Sequence, residues 1–129
     1  MWEHDFRDYK RFALSASDSG RGIVVATTTS PGTTIHTALA SQSTSEYDQV
    51  WLRVTNTSAS AVLLTILWGG TSSPGDVIQM SIPAQSGFTE VVAGHPLQNA
   101  KVIAAYAATA NVLVVHGYVS RYQNTQQIF

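Results

Sequence analysis

The chain has no cysteine, which removes disulfide bonds and thiolate metal sites from the ways it could be stabilised and leaves packing and association. Charge is almost as scarce. Asp, Glu, Lys and Arg make up 12% of the residues, against about 25% in a typical soluble domain. Residues 1–21 hold eight of the fifteen charged side chains: Arg7, Lys10, Arg11 and Arg21 with Glu3, Asp5, Asp8 and Asp18. The body that follows must keep its surface wet with Ser, Thr, Asn and Gln, or have it occupied by neighbours. A net charge of −1 with no basic cluster gives no footprint for nucleic acid. No apolar run approaches the roughly 18 residues of a membrane span. The charged amino terminus also lacks the apolar centre of a signal peptide, so a soluble, unprocessed protein is expected. At 129 residues one domain is expected.

What the chain does have is alternation. In Asp48–Trp68, Val50, Leu52 and Val54 alternate with Trp51, Arg53 and Thr55, the period of a strand with one buried face. A second run follows a short polar turn. There Val62, Leu64, Ile66 and Trp68 fill one face, while Leu63 and Leu67 make the other largely apolar too, so this strand wants cover on both sides. The two runs read together as a β-hairpin.

Short strands separated by turn residues fill the rest: 22–28, 33–40, 77–82, 88–92, 101–106 and 111–122. Ser30-Pro31-Gly32, the Gly69–Asp76 loop, Gln85-Ser86-Gly87 and Gly94-His95-Pro96 are the breaks. About eight strands at intervals of about 8 to 12 residues predict an all-β fold, an antiparallel β-sandwich of jelly-roll type. The strand at 112–119 is apolar on both faces, like that at 61–68, which predicts burial of a second surface between subunits. Residues 1–20 differ in composition and form an N-terminal arm, with the sandwich at 21–122 and a tail at 123–129. The spacing of Trp2, Phe6, Tyr9 and Ala13 allows a short amphipathic helix in the arm, ordered by docking on another surface.

Catalytic and cofactor motifs are missing. His4, His36, His95 and His116 form no ligand-spaced pair, so no metal site is expected. His116 reads as a core or interface histidine and His95 as a turn residue. No G-x-S-x-G elbow frames a serine, Glu46, Asp48, Asp76 and Glu90 offer no recognisable catalytic pair, and no phosphate-binding glycine loop occurs. Neither an enzyme nor a cofactor is expected. Trp51, beside Arg53, is the best candidate for stacking on a sugar or packing in an interface.

Val77–Tyr122, VIQMSIPAQSGFTEVVAGHPLQNAKVIAAYAATANVLVVHGYVSRY, resembles the small β-sandwich virion proteins of tailed bacteriophages, the capsid decoration or cement class. The resemblance lies in cadence: strand, Ile-Pro-Ala turn, strand, Gly-x-x-Leu, Ala-rich strand and a closing Val-x-Gly-Tyr-Val strand. It implies a homo-oligomer, often a trimer, made in the host cytoplasm and seated on the outer capsid surface, where it clamps the major capsid protein. No catalytic residue is carried over. The expected protein contacts are Trp2, Phe6, Tyr9 and Phe12 in the arm, Trp51 and Arg53 in the first strand, and Leu63 and Leu67 in the second. The alternative is a tail, baseplate or fibre component that binds host carbohydrate through Trp51 or the Gly69–Asp76 loop.

Overall fold

A computed structural model describes residues 7–85 and 87–124. They form nine strands: β1 (Arg7–Ala13), β2 (Ile23–Val24), β3 (Thr33–Thr37), β4 (Tyr47–Asn56), β5 (Val62–Trp68), β6 (Val77–Ile82), β7 (Thr89–Leu97), β8 (Val102–Ala107) and β9 (Leu113–Asn124). No helix occurs among the described residues. The strands make two antiparallel sheets, the layout of a β-sandwich. One has the order β1-β9-β4-β7 with β2 also on β9, and the other runs β3-β8-β5-β6. The pairs β2·β9, β3·β8, β4·β7 and β5·β6 nest inside one another, so the chain folds as a long hairpin whose tip is β5–β6. Rolling that hairpin brings β9 beside β4 and β8 beside β5 and closes the two sheets.

The core follows from period two. Val50, Leu52 and Val54 of β4 and Val115 and Val119 of β9 face Leu64 and Ile66 of β5, Ile82 of β6 and Ile103 and Ala105 of β8 in one buried cluster. Burying such aliphatic side chains stabilises the fold by roughly 1.5–3 kcal/mol each.

Three expectations are corrected. First, β4 and β5 are not a hairpin, because they lie in different sheets. Their apolar faces meet across the core, and residues 57–61 carry the chain from one layer to the other. Buried Asn56 holds that crossing: its Nδ2 donates to the carbonyls of Ser60 (2.9 Å) and Ile82 (3.0 Å), and its Oδ1 accepts from the Ser58 amide (2.9 Å).

Second, residues 7–13 are not helical. They form β1, an edge strand in register with β9 from Arg7↔Asn124 to Ala13↔Tyr118. Pairing with an existing sheet satisfies backbone groups that an isolated short helix would satisfy only marginally. The chain then leaves the first sheet to bond β3 of the second, with Ala16 N–H on the Ile35 carbonyl at 3.3 Å, before returning as β2. Trp2 and Phe6 lie outside the described residues.

Third, Gly94-His95-Pro96 does not end its strand. β7 continues to Leu97 by shifting register twice against β4, and its edge position tolerates a proline that cannot donate to a ladder. His95 is thus a strand residue, its ring 5.3 Å from that of Trp68.

In β3 the neighbouring residues Ile35 and His36 are both buried. A register shift between Thr34 and His36 allows this.

Candidate functional site

Strands β4 and β9 pair along ten residues and carry chemistry on both faces. On the inner side Asp48, fully buried, lies opposite Arg121. Arg121 Nε donates to Asp48 Oδ1 at 2.7 Å and Nη2 to Oδ2 at 3.0 Å, a bidentate fork. From the other sheet, His36 Nε2 lies 2.7 Å from Asp48 Oδ2. The Leu39 amide also donates to Oδ2, at 3.2 Å. His36 Nδ1 accepts the Ser15 amide at 3.0 Å, so the ring proton of the neutral imidazole sits on Nε2 and is donated to Asp48. Burial alone would raise the Asp48 carboxyl. The hydrogen bonds from His36 and Arg121, with the charge of Arg121, outweigh that and lower it from 3.8 to about 2. The same carboxylate holds the Arg121 guanidinium above its ordinary value.

A serine, a histidine and an aspartate meet here, but not as a nucleophile with its base. The histidine receives the Ser15 backbone amide, and the Ser15 hydroxyl is spent accepting from Thr37 N–H at 2.8 Å. The network joins β3, β4, β9 and the segment after β1, and it consumes the polar capacity it contains.

The outer face of the same sheet carries aromatic rows. Tyr9 of β1, Tyr122 of β9 and Tyr47 of β4 are cross-strand neighbours, with ring centroids 5.3 Å and 5.2 Å apart. A second row places the Trp51 ring 5.0 Å from Tyr118, stacked at 11°, with the Arg11 guanidinium 5.6 Å from the Tyr118 centroid. Arg11 also lies 6.0 Å from the Tyr9 ring and so links the rows. Such pairs contribute roughly 0.5–1.5 kcal/mol each beyond buried area. They fasten β1 to the sheet.

Next along the face, Arg53 lies opposite His116. With Trp51, Tyr118, Phe88 and the backbone of Gly20 and Gly117 these residues line a concavity of about 220 Å³. His116 is wedged edge-on against Phe88, with centroids 4.9 Å apart, and rests on Gly22, where a Cβ would collide with the imidazole. Gly117 is required for a similar reason, since a Cβ would run into the Trp51 carbonyl. The side chains of Arg53 and His116 have no hydrogen-bond or ion-pair partner among the described residues. A larger concavity, about 680 Å³, opens beside Tyr47, Pro96, Leu97, Gln98 and Lys101. The Gln98 amide there is committed to the carbonyls of Ser41, Ser43 and Glu46.

The expected contact residues thus fall in three places. Tyr9 and Phe12 are 51% and 42% exposed on the edge strand β1, while Trp51 and Arg53 share the outer face of its sheet. Leu63 is 42% exposed on the other sheet, and Leu67 is covered within the chain at 3%, between Val77 and Ala104 and beside the Gly69–Thr71 loop. That loop closes on itself, the Ser72 amide donating to Asp76 Oδ2 at 3.0 Å and the Asp76 amide to the Ser72 carbonyl at 2.8 Å. Among the described residues no three His, Asp or Glu side chains gather to hold a metal. Among the described residues no helix is long and apolar enough to cross a membrane. Sequence reasoning missed the partnership of His36, Asp48 and Arg121 and the gathering of Arg53, His116 and Phe88 around one concavity. Comparison with protein-family models, curated proteins and solved structures finds no match for the chain.

Proposed function

We propose that the chain is a non-enzymatic virion structural protein, a decoration protein that docks as an oligomer on an outer capsid surface and holds neighbouring capsid subunits together. The observation that carries this reading is β1: an edge strand at the charged end of the chain, with Tyr9 and Phe12 exposed on it. An edge that presents aromatic side chains and unpaired backbone groups is suited to adding contacts on a neighbour. Repetition over a shell multiplies such contacts into a large total. The nested pairing of the strands supports a jelly roll, an architecture that recurs in capsid and lectin domains, and this support is by analogy of fold. The sparse charge of the body is in keeping with a surface shared among subunits. Co-sedimentation with capsid shells lacking the protein tests the reading. The full chain should pellet saturably and a chain lacking residues 1–13 should pellet far less; equal binding of both would remove the role given to the arm and β1, and no binding by either would remove the reading.

The second reading is a tail or fibre component that recognises carbohydrate. What favours it is the concavity beside Trp51, where the side chains of Arg53 and His116 have no hydrogen-bond or ion-pair partner among the described residues. One face of the Trp51 ring is taken up by stacking on Tyr118, so recognition would use the rim of the pair. Binding of the soluble protein to a glycan array, without binding to shells, would select this reading.

A further inference from the structure

We infer that the concavity between Trp51–Tyr118 and Phe88 is a binding site for a single sugar ring bearing a carboxylate, of uronate or sialate type. The inference rests on the carbohydrate reading above and names its ligand class; it does not depend on the arm or β1.

The size comes first. About 220 Å³ lies below the roughly 300–1,000 Å³ of pockets for drug-sized ligands, so the occupant is about one ring and not an extended chain. The walls supply the ring contact. Trp51 and Tyr118 form one side as a stacked pair, and Phe88, 59% exposed, stands on the other. Aromatic edges and faces of this kind pack against the apolar C–H surfaces of a pyranose.

The polar groups supply the charge. Arg53 presents a guanidinium, the group whose fork matches a carboxylate, and His116 stands directly across the ladder with its imidazole held between Gly22 and Phe88. Neither is committed elsewhere among the described residues, unlike Arg121 and His36 inside the sandwich. Arg11, above the Tyr118 ring, adds a second positive charge. One group opposes the ligand: Glu90 pairs with Arg53 across β4 and β7, on the strand opposite to His116, without a salt bridge to it. It competes for the guanidinium.

The test is titration of the full chain with glucuronate, N-acetylneuraminate, glucose and benzoate at millimolar concentration, followed through amide chemical shifts. Both sugar acids should move the signals of Arg53, His116, Gly117 and Tyr118 saturably, whereas glucose and benzoate should not. Arg53→Gln should weaken binding about tenfold or more, as loss of a charge-assisted hydrogen bond of roughly 1.5–3 kcal/mol requires. Glu90→Gln should tighten it by about two- to fivefold, because a local negative charge is removed. Unchanged affinity in Arg53→Gln, whose amide spectrum reports its folding, would overturn the proposal. So would equal binding of benzoate, because the sugar ring would then carry no recognition. Binding of neutral sugars at this site without the acids would overturn the ligand class and leave the carbohydrate reading intact. Absence of binding by every sugar would remove both.

Discussion

On two faces of one strand pair the molecule places arginine beside histidine or a carboxylate, to opposite ends. Asp48 opposite Arg121 points inward and Arg53 opposite His116 points outward; the odd spacing of 48 and 53 on β4 sends them to different faces. Inside, Asp48 receives four hydrogen bonds, from His36, the Leu39 amide and two nitrogens of Arg121, and the His36 ring is used at both nitrogens. Outside, the side chains of Arg53 and His116 have no hydrogen-bond or ion-pair partner among the described residues. The residue types are nearly the same. What separates a structural cluster from a recognition site is how much of its hydrogen-bonding capacity the fold has consumed.

The comparison breaks most sharply at Asp48. Asp48→Asn keeps the volume but removes the charge that Arg121 and His36 face, and it puts an amide donor where the site supplies donors. Breaking a buried charge pair by removing one partner costs about 3–5 kcal/mol, so a loss of that order is expected in urea or guanidinium denaturation. A loss below about 1 kcal/mol would mean that the network contributes little and that its contrast with the outer pair is false.

Acid makes the same test without mutation. The folded Asp48 carboxyl lies at about 2 and its ordinary value is 3.8. The folded value is the lower, so its stabilisation is complete above about pH 4 and is lost as the pH falls from there toward 2. On the order of 2 kcal/mol should disappear across that window. Asp48→Asn should lack this part of the acid dependence, and an identical acid slope in both proteins would refute the assignment.

How much of this was legible beforehand follows from the same two faces. The alternation of Val50, Leu52 and Val54 marked the buried side of β4 and placed Trp51 and Arg53 on the other, as found. The all-β class and the strands 77–82 and 111–122 were readable from the same period, the latter now running Leu113–Asn124. In the sequence Asp48 is only the residue that opens the first alternating run. Its role was hidden because its partners come from residues 36 and 121, and no local pattern reports a contact between sheets. The hairpin reading failed for a related reason. Residues 57–61 contain no glycine and no tight-turn pair such as Asn-Gly, which is a signal against a two-residue hairpin, but period two alone cannot say whether two strands lie side by side or face to face. Leu63 and Leu67 share a face by sequence, yet loop 69–76 and β8 cover only the second, a difference set by loop path.

A smaller effect is expected where the outer face is partly committed. Tyr118→Leu removes the stack on Trp51 and the ring beneath Arg11 while keeping an apolar side chain. A loss of about 1 kcal/mol should appear, with faster exchange of the β1 amides, because these rows fasten the edge strand to β9. No change in β1 exchange would assign the rows to recognition alone.

The smallest effect is the sharpest test of what distinguishes the faces. Arg53→Gln alters an exposed side chain for which no bond is found among the described residues, so the unfolding free energy should change by less than about 0.5 kcal/mol. Arg121→Gln strips the charged fork from a buried carboxylate and should lose several times as much, by the same reasoning as Asp48→Asn. Measured side by side in one denaturant series, the two arginines should separate cleanly. Equal losses would show that Arg53 is also committed to the fold, and a guanidinium already committed has nothing left to offer a ligand.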